Sequence, residues 1–275
     1  MLPQCERSVH LMQKLITELI ETNAFELYGQ PKWTFGKNTC NTYEVYAGAV
    51  HMPGGSQVPA RLILELIERD EDLTLTFSEW FLKAAMKSAV ELCEKTNSHV
   101  TLSMNLLPQY ASQENFVEQV LEQIEQTGIN PTKLQFELSE AQNLNARGIE
   151  NLNCLHDEHG IKLYLANFGM GYSNINLLTD VHFDGIELDR SFAAGIPHHD
   201  QTVRMVCAIQ NMADTLDLDM CAKGIETPEQ FEFFDDLKCH KGQGYLIGKP
   251  LPMDELVEYI KLFAVHAETE EKEAD

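Results

Sequence analysis

Apolar residues recur at helical spacing over 10–22, which predicts an amphipathic first helix. A strand over 25–28 and another over 43–50 follow, then helices over 60–68 and 78–95. The second of these helices opens with Thr76-Phe77-Ser78-Glu79, a capping-box pattern. The next segments read as a strand over 100–105, a helix over 114–126, a strand over 133–138 and a helix over 146–159. Strands over 162–166 and 185–188, a helix over 202–215 and a strand over 218–222 continue the alternation. Thr227-Pro228-Glu229-Gln230 supplies an N-cap, a proline at the first helical position and a capping glutamine. A strand over 244–247 and a helix over 254–263 complete the pattern.

Repeated strand–helix units predict a mostly parallel sheet with helices outside it. About eight such units over a chain of this length fit a closed α/β barrel best, with an open doubly wound sheet as the alternative. No proline- or glycine-rich linker divides the 275 residues, so residues 1–264 read as one domain. Residues 265–275 read as an acidic, disordered tail.

The formal net charge of −23 changes the picture of partners more than of fold. It disfavours direct nucleic-acid binding and anionic membrane, and favours a partner with a basic surface, although solubility alone is the plainer account of it. Seven cysteines, odd in number and without CxxC spacing, argue for a reducing cytoplasm rather than a disulfide framework. Cys207 and Cys221 lie in apolar runs, as buried thiols do. No secretion signal and no apolar run of about 18 residues is visible, so no membrane segment is expected.

In such barrels, sites are built at the C-terminal ends of the strands. Those ends offer Glu44, Asn105, Glu137 with Glu140, Ala166 and Asn167, Glu187 and Asp189 beside Arg190, Lys223 and Glu226, and Gln243. Each has a plainer reading. The glutamates suit exposed strand ends, Asn105 suits a turn or cap, and Lys223 suits a surface ion pair. Gly169 and Gly171 suit simple loop conformations. Periodicity alone supports a barrel with a polar mouth.

Several stretches carry more. Phe168-Gly-Met-Gly-Tyr-Ser173, Asp184-Gly-Ile-Glu-Leu-Asp-Arg-Ser-Phe192, Gly224-Ile-Glu-Thr227 and Gln243-Gly-Tyr-Leu-Ile-Gly-Lys-Pro-Leu251 stand in this order. Ser103-Met-Asn-Leu106, Glu137-Leu-Ser-Glu140 and Gln30-Pro31 support them. Together they resemble the EAL-domain family, over nearly the whole chain. The resemblance implies a modified TIM barrel with one strand antiparallel to the others. Active members linearise cyclic di-GMP with two divalent cations, Mg²⁺ or Mn²⁺, held by carboxylates. The resemblance places metal ligands at Glu44, Asn105 and Glu137, which are kept as vestiges. It places the paired metal-binding aspartates at Ala166 and Asn167, a catalytic-centre glutamate at Lys223, a water-orienting lysine at Glu187 and a phosphate-binding arginine at Gly48. Glu140 matches a residue that steadies the loop carrying Phe168–Ser173.

Alanine offers no ligand, asparagine only a neutral one, and lysine a fixed positive charge. The resemblance therefore implies a degenerate member without resident metal and without hydrolysis. Glu187 and Lys223 form a charge exchange between neighbouring strand ends, and Lys223 is expected among Glu44, Glu137 and Glu187 in place of metal. The expected role is regulation through a protein partner in cyclic di-GMP-linked control of motility or biofilm. The alternatives are weak, non-hydrolysing cyclic di-GMP binding, for which Gln243 and the glycine loop speak, and an active phosphodiesterase with unusual ligands. A homodimer through 174–178 is a further expectation of the resemblance.

Overall fold

The computed structural model describes residues 2–139, 144–169 and 176–261, with side chains from His10 onward. Glu140, residues 170–175 of the glycine loop and its following segment, and the acidic tail lie outside the described residues. Helix α1 (Leu2–Glu21) precedes the hairpin of β1 (Phe25–Thr34) and β2 (Thr39–His51), and a short β3 (Gln57–Pro59) follows. Then come α2 (Ala60–Ile67), α3 (Glu71–Thr96), β4 (Thr101–Leu106), α4 (Pro108–Ala111) and α5 (Phe116–Thr127). The chain continues through β5 (Leu134–Ser139), α6 (Ala146–His159), β6 (Lys162–Phe168), α7 (Leu177–Asp180) and β7 (Gly185–Leu188). It ends with α8 (Arg190–Ala194), α9 (Asp200–Thr215), β8 (Asp219–Lys223), α10 (Pro228–Asp236), β9 (Lys241–Gln243), β10 (Leu251–Pro252) and a helix α11 over 253–261.

Eight of these strands close a barrel in the order β1-β9-β8-β7-β6-β5-β4-β2, and β2 returns to β1. The strands from β2 through β9 pair in parallel around the ring, whereas β1 is antiparallel to both its neighbours, β2 and β9. The fold is thus the α/β barrel with one reversed strand that the motifs implied. The short β3 and β10 extend its edges.

Alternation along each strand sorts the side chains. On β5, Leu134, Phe136 and Leu138 turn outward to the helices, while Gln135 and Glu137 turn to the barrel axis; all five are buried. Helix α3 buries Leu73, Phe77, Phe81, Ala85, Met86, Ala89 and Leu92 on one stripe against the sheet.

Some boundaries differ from the sequence pattern. Helix α3 starts at Glu71, and its N-cap is Asp70, whose carboxylate accepts from Leu73 N at 3.1 Å. The expected cap at Thr76 is interior to the helix: its hydroxyl donates back to Asp72 O at 2.8 Å. By contrast, Thr227 and Gln230 do form the reciprocal capping box. The strand expected over 244–247 lies three residues earlier, at Lys241–Gln243, and 244–247 is a turn. A Cβ on Gly244 would lie 2.0 Å from Ile225 O, so this glycine marks a close backbone approach rather than a strand interior. Strand β1 runs on through Pro31 to Thr34, since Pro31 pairs with Tyr43 in the antiparallel hairpin. All the described cysteines are free; Cys221 is buried, but Cys207 is only half-buried. No described helix is long and apolar enough to cross a membrane.

Candidate functional site

The inward positions of the strands stack into three polar levels. The lowest joins Gln135, Tyr164, Asp219 and Lys241: Tyr164 Oη donates to Asp219 Oδ2 at 2.7 Å, and Lys241 Nζ donates to Tyr164 Oη at 3.3 Å and Gln135 Oε1 at 3.4 Å. Burial depresses the Lys241 ammonium and raises the Tyr164 phenol.

The middle level holds Lys32, Ser103, Glu137 and Glu187, all sealed from solvent. Lys32 Nζ lies 2.5 Å from Glu137 Oε1, 2.5 Å from Glu187 Oε1 and 3.2 Å from Ser103 Oγ. The Ser103 hydroxyl also donates to Glu137 Oε1. Lys32 is not among the strand-end residues that the sequence pattern offers. The signal was there: Lys32 stands two residues beyond Gln30, so it shares that residue's face once β1 is carried past Pro31.

The upper level opens to solvent and gathers most of the motif positions. Lys223 Nζ lies 3.1 Å from Glu44 Oε2, 2.9 Å from Glu137 Oε2 and 2.6 Å from Glu187 Oε2. The last contact is the shortest of the three, and it ties Glu187 to the upper ammonium as well as to Lys32 below. Asn105 Nδ2 donates to Glu44 Oε1 at 3.0 Å, and Gln243 Nε2 donates to Glu44 Oε2 at 2.9 Å. Glu44 therefore has three donors around it.

Burial opposes both ammonium charges, and the carboxylates more than offset it, so Lys32 and Lys223 lie above the usual lysine range. Burial alone would raise Glu137, but Lys223 and then Lys32 hold it well below the carboxylate range. Glu187 goes the other way: burial, with the Glu137 charge next in size, pushes it up to about 7. Two cations thus face three carboxylates, and Glu187 takes a proton more readily than Glu137.

Around this level is a mouth of about 430 Å³, lined by Gln30, Glu44, Tyr46, Asn167, Asp189, Arg190, Lys223, Glu226, Gln243 and Tyr245. Asn167 is exposed, at the irregularity that ends β6, with φ of 57°. Ala166 is buried, and its methyl replaces any polar group at that strand end. Asp189 caps α8 by accepting from Ser191 N at 2.8 Å, so its carboxylate has a local task. Arg190 and Glu226 are exposed on the rim. Gly48 is the unpaired residue of a bulge, because Glu26 pairs with Ala49 and Leu27 with Ala47. A Cβ there would meet the Tyr28 ring at 2.2 Å, so tyrosine fills the space of a longer side chain.

Comparison with known proteins decides the family. The model of the EAL domain matches residues 13–250. The chain belongs to the EAL domain family. Among its relatives, the "Cyclic di-GMP phosphodiesterase NbdA" of Pseudomonas aeruginosa is 27% identical over 259 residues, covering 93% of this chain and 33% of NbdA. The chain thus spans about a third of the length of such curated relatives. Among solved structures, the EAL enzyme Bd1971 in its "cAMP and cyclic-di-GMP bound form" superposes with a TM-score of 0.83 at 22% identity, over 94% of this chain and 70% of that one. The "PaMucR Phosphodiesterase, c-di-GMP complex" gives 0.79 at 23%, over 90% and 99% of the two chains. At these identities the structures speak for the fold, which they share with this EAL domain.

Proposed function

We propose that this EAL domain serves cyclic di-GMP-linked signalling by binding rather than by hydrolysis, and that its working contact is with a protein. The observation behind this reading is the Lys223 ammonium lodged among Glu44, Glu137 and Glu187. Divalent Mg²⁺ or Mn²⁺ requires several oxygen ligands at about 2.0–2.6 Å. Here Ala166 provides none, Asn167 is neutral, and a lysine occupies the carboxylates that would bind. The donor set does not fit two such cations, so no metal-bound hydroxide and no charge clamp on a phosphodiester is available. The relatives named as phosphodiesterases support the signalling context, and the altered mouth supports the loss of chemistry.

The polar groups of the mouth are also spent on one another. Asn105, Gln243 and Lys223 all donate to Glu44, which leaves few donors for a dianionic ligand. The rim instead combines the carboxylate of Glu226 with exposed Tyr245 and Leu246, and the whole chain is strongly acidic. That chemistry suits a partner with a basic and partly apolar face. A second reading, a nucleotide receptor, has the size of the mouth and the guanidinium of Arg190 in its favour.

Calorimetry of cyclic di-GMP into the purified chain, with and without Mn²⁺, tests the choice. No heat of binding is expected. Saturable binding without a linear product would make the domain a nucleotide receptor. Metal-dependent turnover would overturn the proposal.

A further inference from the structure

On the opposite end of the barrel, near the N-terminal ends of β6 and β7, three metal-ligating side chains converge. Helix α6 contributes His156 and Asp157 in its last turn, and the segment between α7 and β7 contributes His182. His156 Nδ1 lies 2.8 Å from Asp157 Oδ1, and His182 Nδ1 lies 3.0 Å from both oxygens of the same carboxylate. The ligand atoms of all three fall within 4.8 Å of one another. The two rings meet edge to face at 6.0 Å.

The surroundings hold this geometry in place. Asn153, one turn earlier on α6, accepts from His182 N at 3.0 Å and donates to Asp180 O at 2.9 Å, which ties the segment to the helix on both sides of the ring. Asp184 Oδ2 faces His156 Nε2 at 3.5 Å and is itself fixed by Leu163 N at 2.8 Å. The contact is an ion-pair distance, and closing it by about half an ångström would give the carboxylate–histidine hydrogen bond that orients metal-binding imidazoles.

We propose that His156 Nδ1, Asp157 and His182 Nδ1 form a Zn²⁺ site, with Asp184 as the positioning carboxylate and water completing the coordination. Zinc takes nitrogen and oxygen ligands at about 2.0–2.2 Å, which sets tetrahedral ligands about 3.3 Å apart. The present nitrogen–oxygen separations of 2.8 and 3.0 Å need to open slightly, and the two imidazole nitrogens, within 4.8 Å of each other, to settle at about 3.3 Å. Imidazole with carboxylate suits zinc better than Mg²⁺ or Ca²⁺. The site lies away from the mouth, and a bound ion would clamp α6 to the segment that leads into β7. It acts on stability, since this end of such barrels is the structural one.

A second cluster on the same helix, Cys154, Glu158 and His159, offers the competing location. Titration of the purified chain with Zn²⁺, followed by calorimetry and by melting temperature, separates them. One saturable equivalent and a raised melting point are expected. His182→Gln, at a side chain 55% exposed, keeps the fold and weakens binding at least tenfold. The double variant Cys154→Ser/His159→Gln leaves binding unchanged. Co²⁺ in place of Zn²⁺ gives visible bands without a thiolate charge-transfer band. Absence of saturable binding, indifference to His182→Gln, or loss on changing Cys154 and His159 would each overturn the proposal.

Discussion

Lys32 and Lys223 share two carboxylates, Glu137 and Glu187, but stand at different depths in the barrel. Lys32 comes from the reversed strand β1 and is wholly buried; Lys223 ends β8 and keeps 18% of its side chain exposed. The deeper ammonium has no route to water, so its charge depends on its partners. The upper one sits at the base of an open mouth, where water can replace a lost contact. The same pair of glutamates therefore serves a closed level below and a solvent-facing level above. The difference separates the groups that hold this barrel together from those that face the mouth.

The largest effect is expected at the deeper level. Lys32→Met leaves Glu137 and Glu187 buried beside each other with one cation fewer, and removing one partner of such a cluster costs about 3–5 kcal/mol. Urea denaturation at neutral pH measures it. A loss below about 1 kcal/mol would mean that the carboxylates protonate without penalty.

Next comes the pH dependence of Glu187. Its folded pKa of about 7 is above its ordinary 4.5, so the stability it contributes is fully present below about pH 4.5 and is lost as pH rises through 7. Glu137 has the opposite sign: its contribution is present above 4.5 and is lost as pH falls through its depressed value. Glu187→Gln removes the first dependence and leaves Glu137 paired with Lys32 and Lys223. The variant should gain on the wild type between pH 5 and pH 8, by up to about 3 kcal/mol. Melting curves across that range check it, and parallel curves would contradict it.

At the upper level, Lys223→Met should cost less, about 2 kcal/mol, because solvent reaches the mouth. It should also make stability fall as pH rises, since the carboxylates then repel one another. Gln243→Ala removes one hydrogen bond to Glu44 and should cost about 1 kcal/mol. If Gln243→Ala costs more than Lys32→Met, the contrast between the two levels fails.

Much of this was legible in the chain. The strand–helix alternation predicted the barrel, and the ordered motifs implied its reversed strand. Glu44, Asn105, Glu137, Glu187, Lys223 and Gln243 are found on neighbouring strand ends because inward positions repeat every second residue. Lys32 lies beyond the strand that the pattern ends at residue 28, whereas the antiparallel hairpin carries β1 on through Pro31. The cap of α3 lies six residues before the Thr76 pattern, because Asp70 caps an additional first turn that buries Leu73. The histidine cluster escaped notice because its members are separated in sequence and join only when the segment before β7 folds against α6.

The central proposal is that Lys223 takes the place of metal in this EAL domain. Incubation of the purified chain with cyclic di-GMP and excess Mn²⁺, with the nucleotides separated afterwards, tests it most directly. The account predicts that the cyclic dinucleotide is recovered intact. A linear product that appears only with Mn²⁺, and disappears on Glu137→Gln, would contradict it.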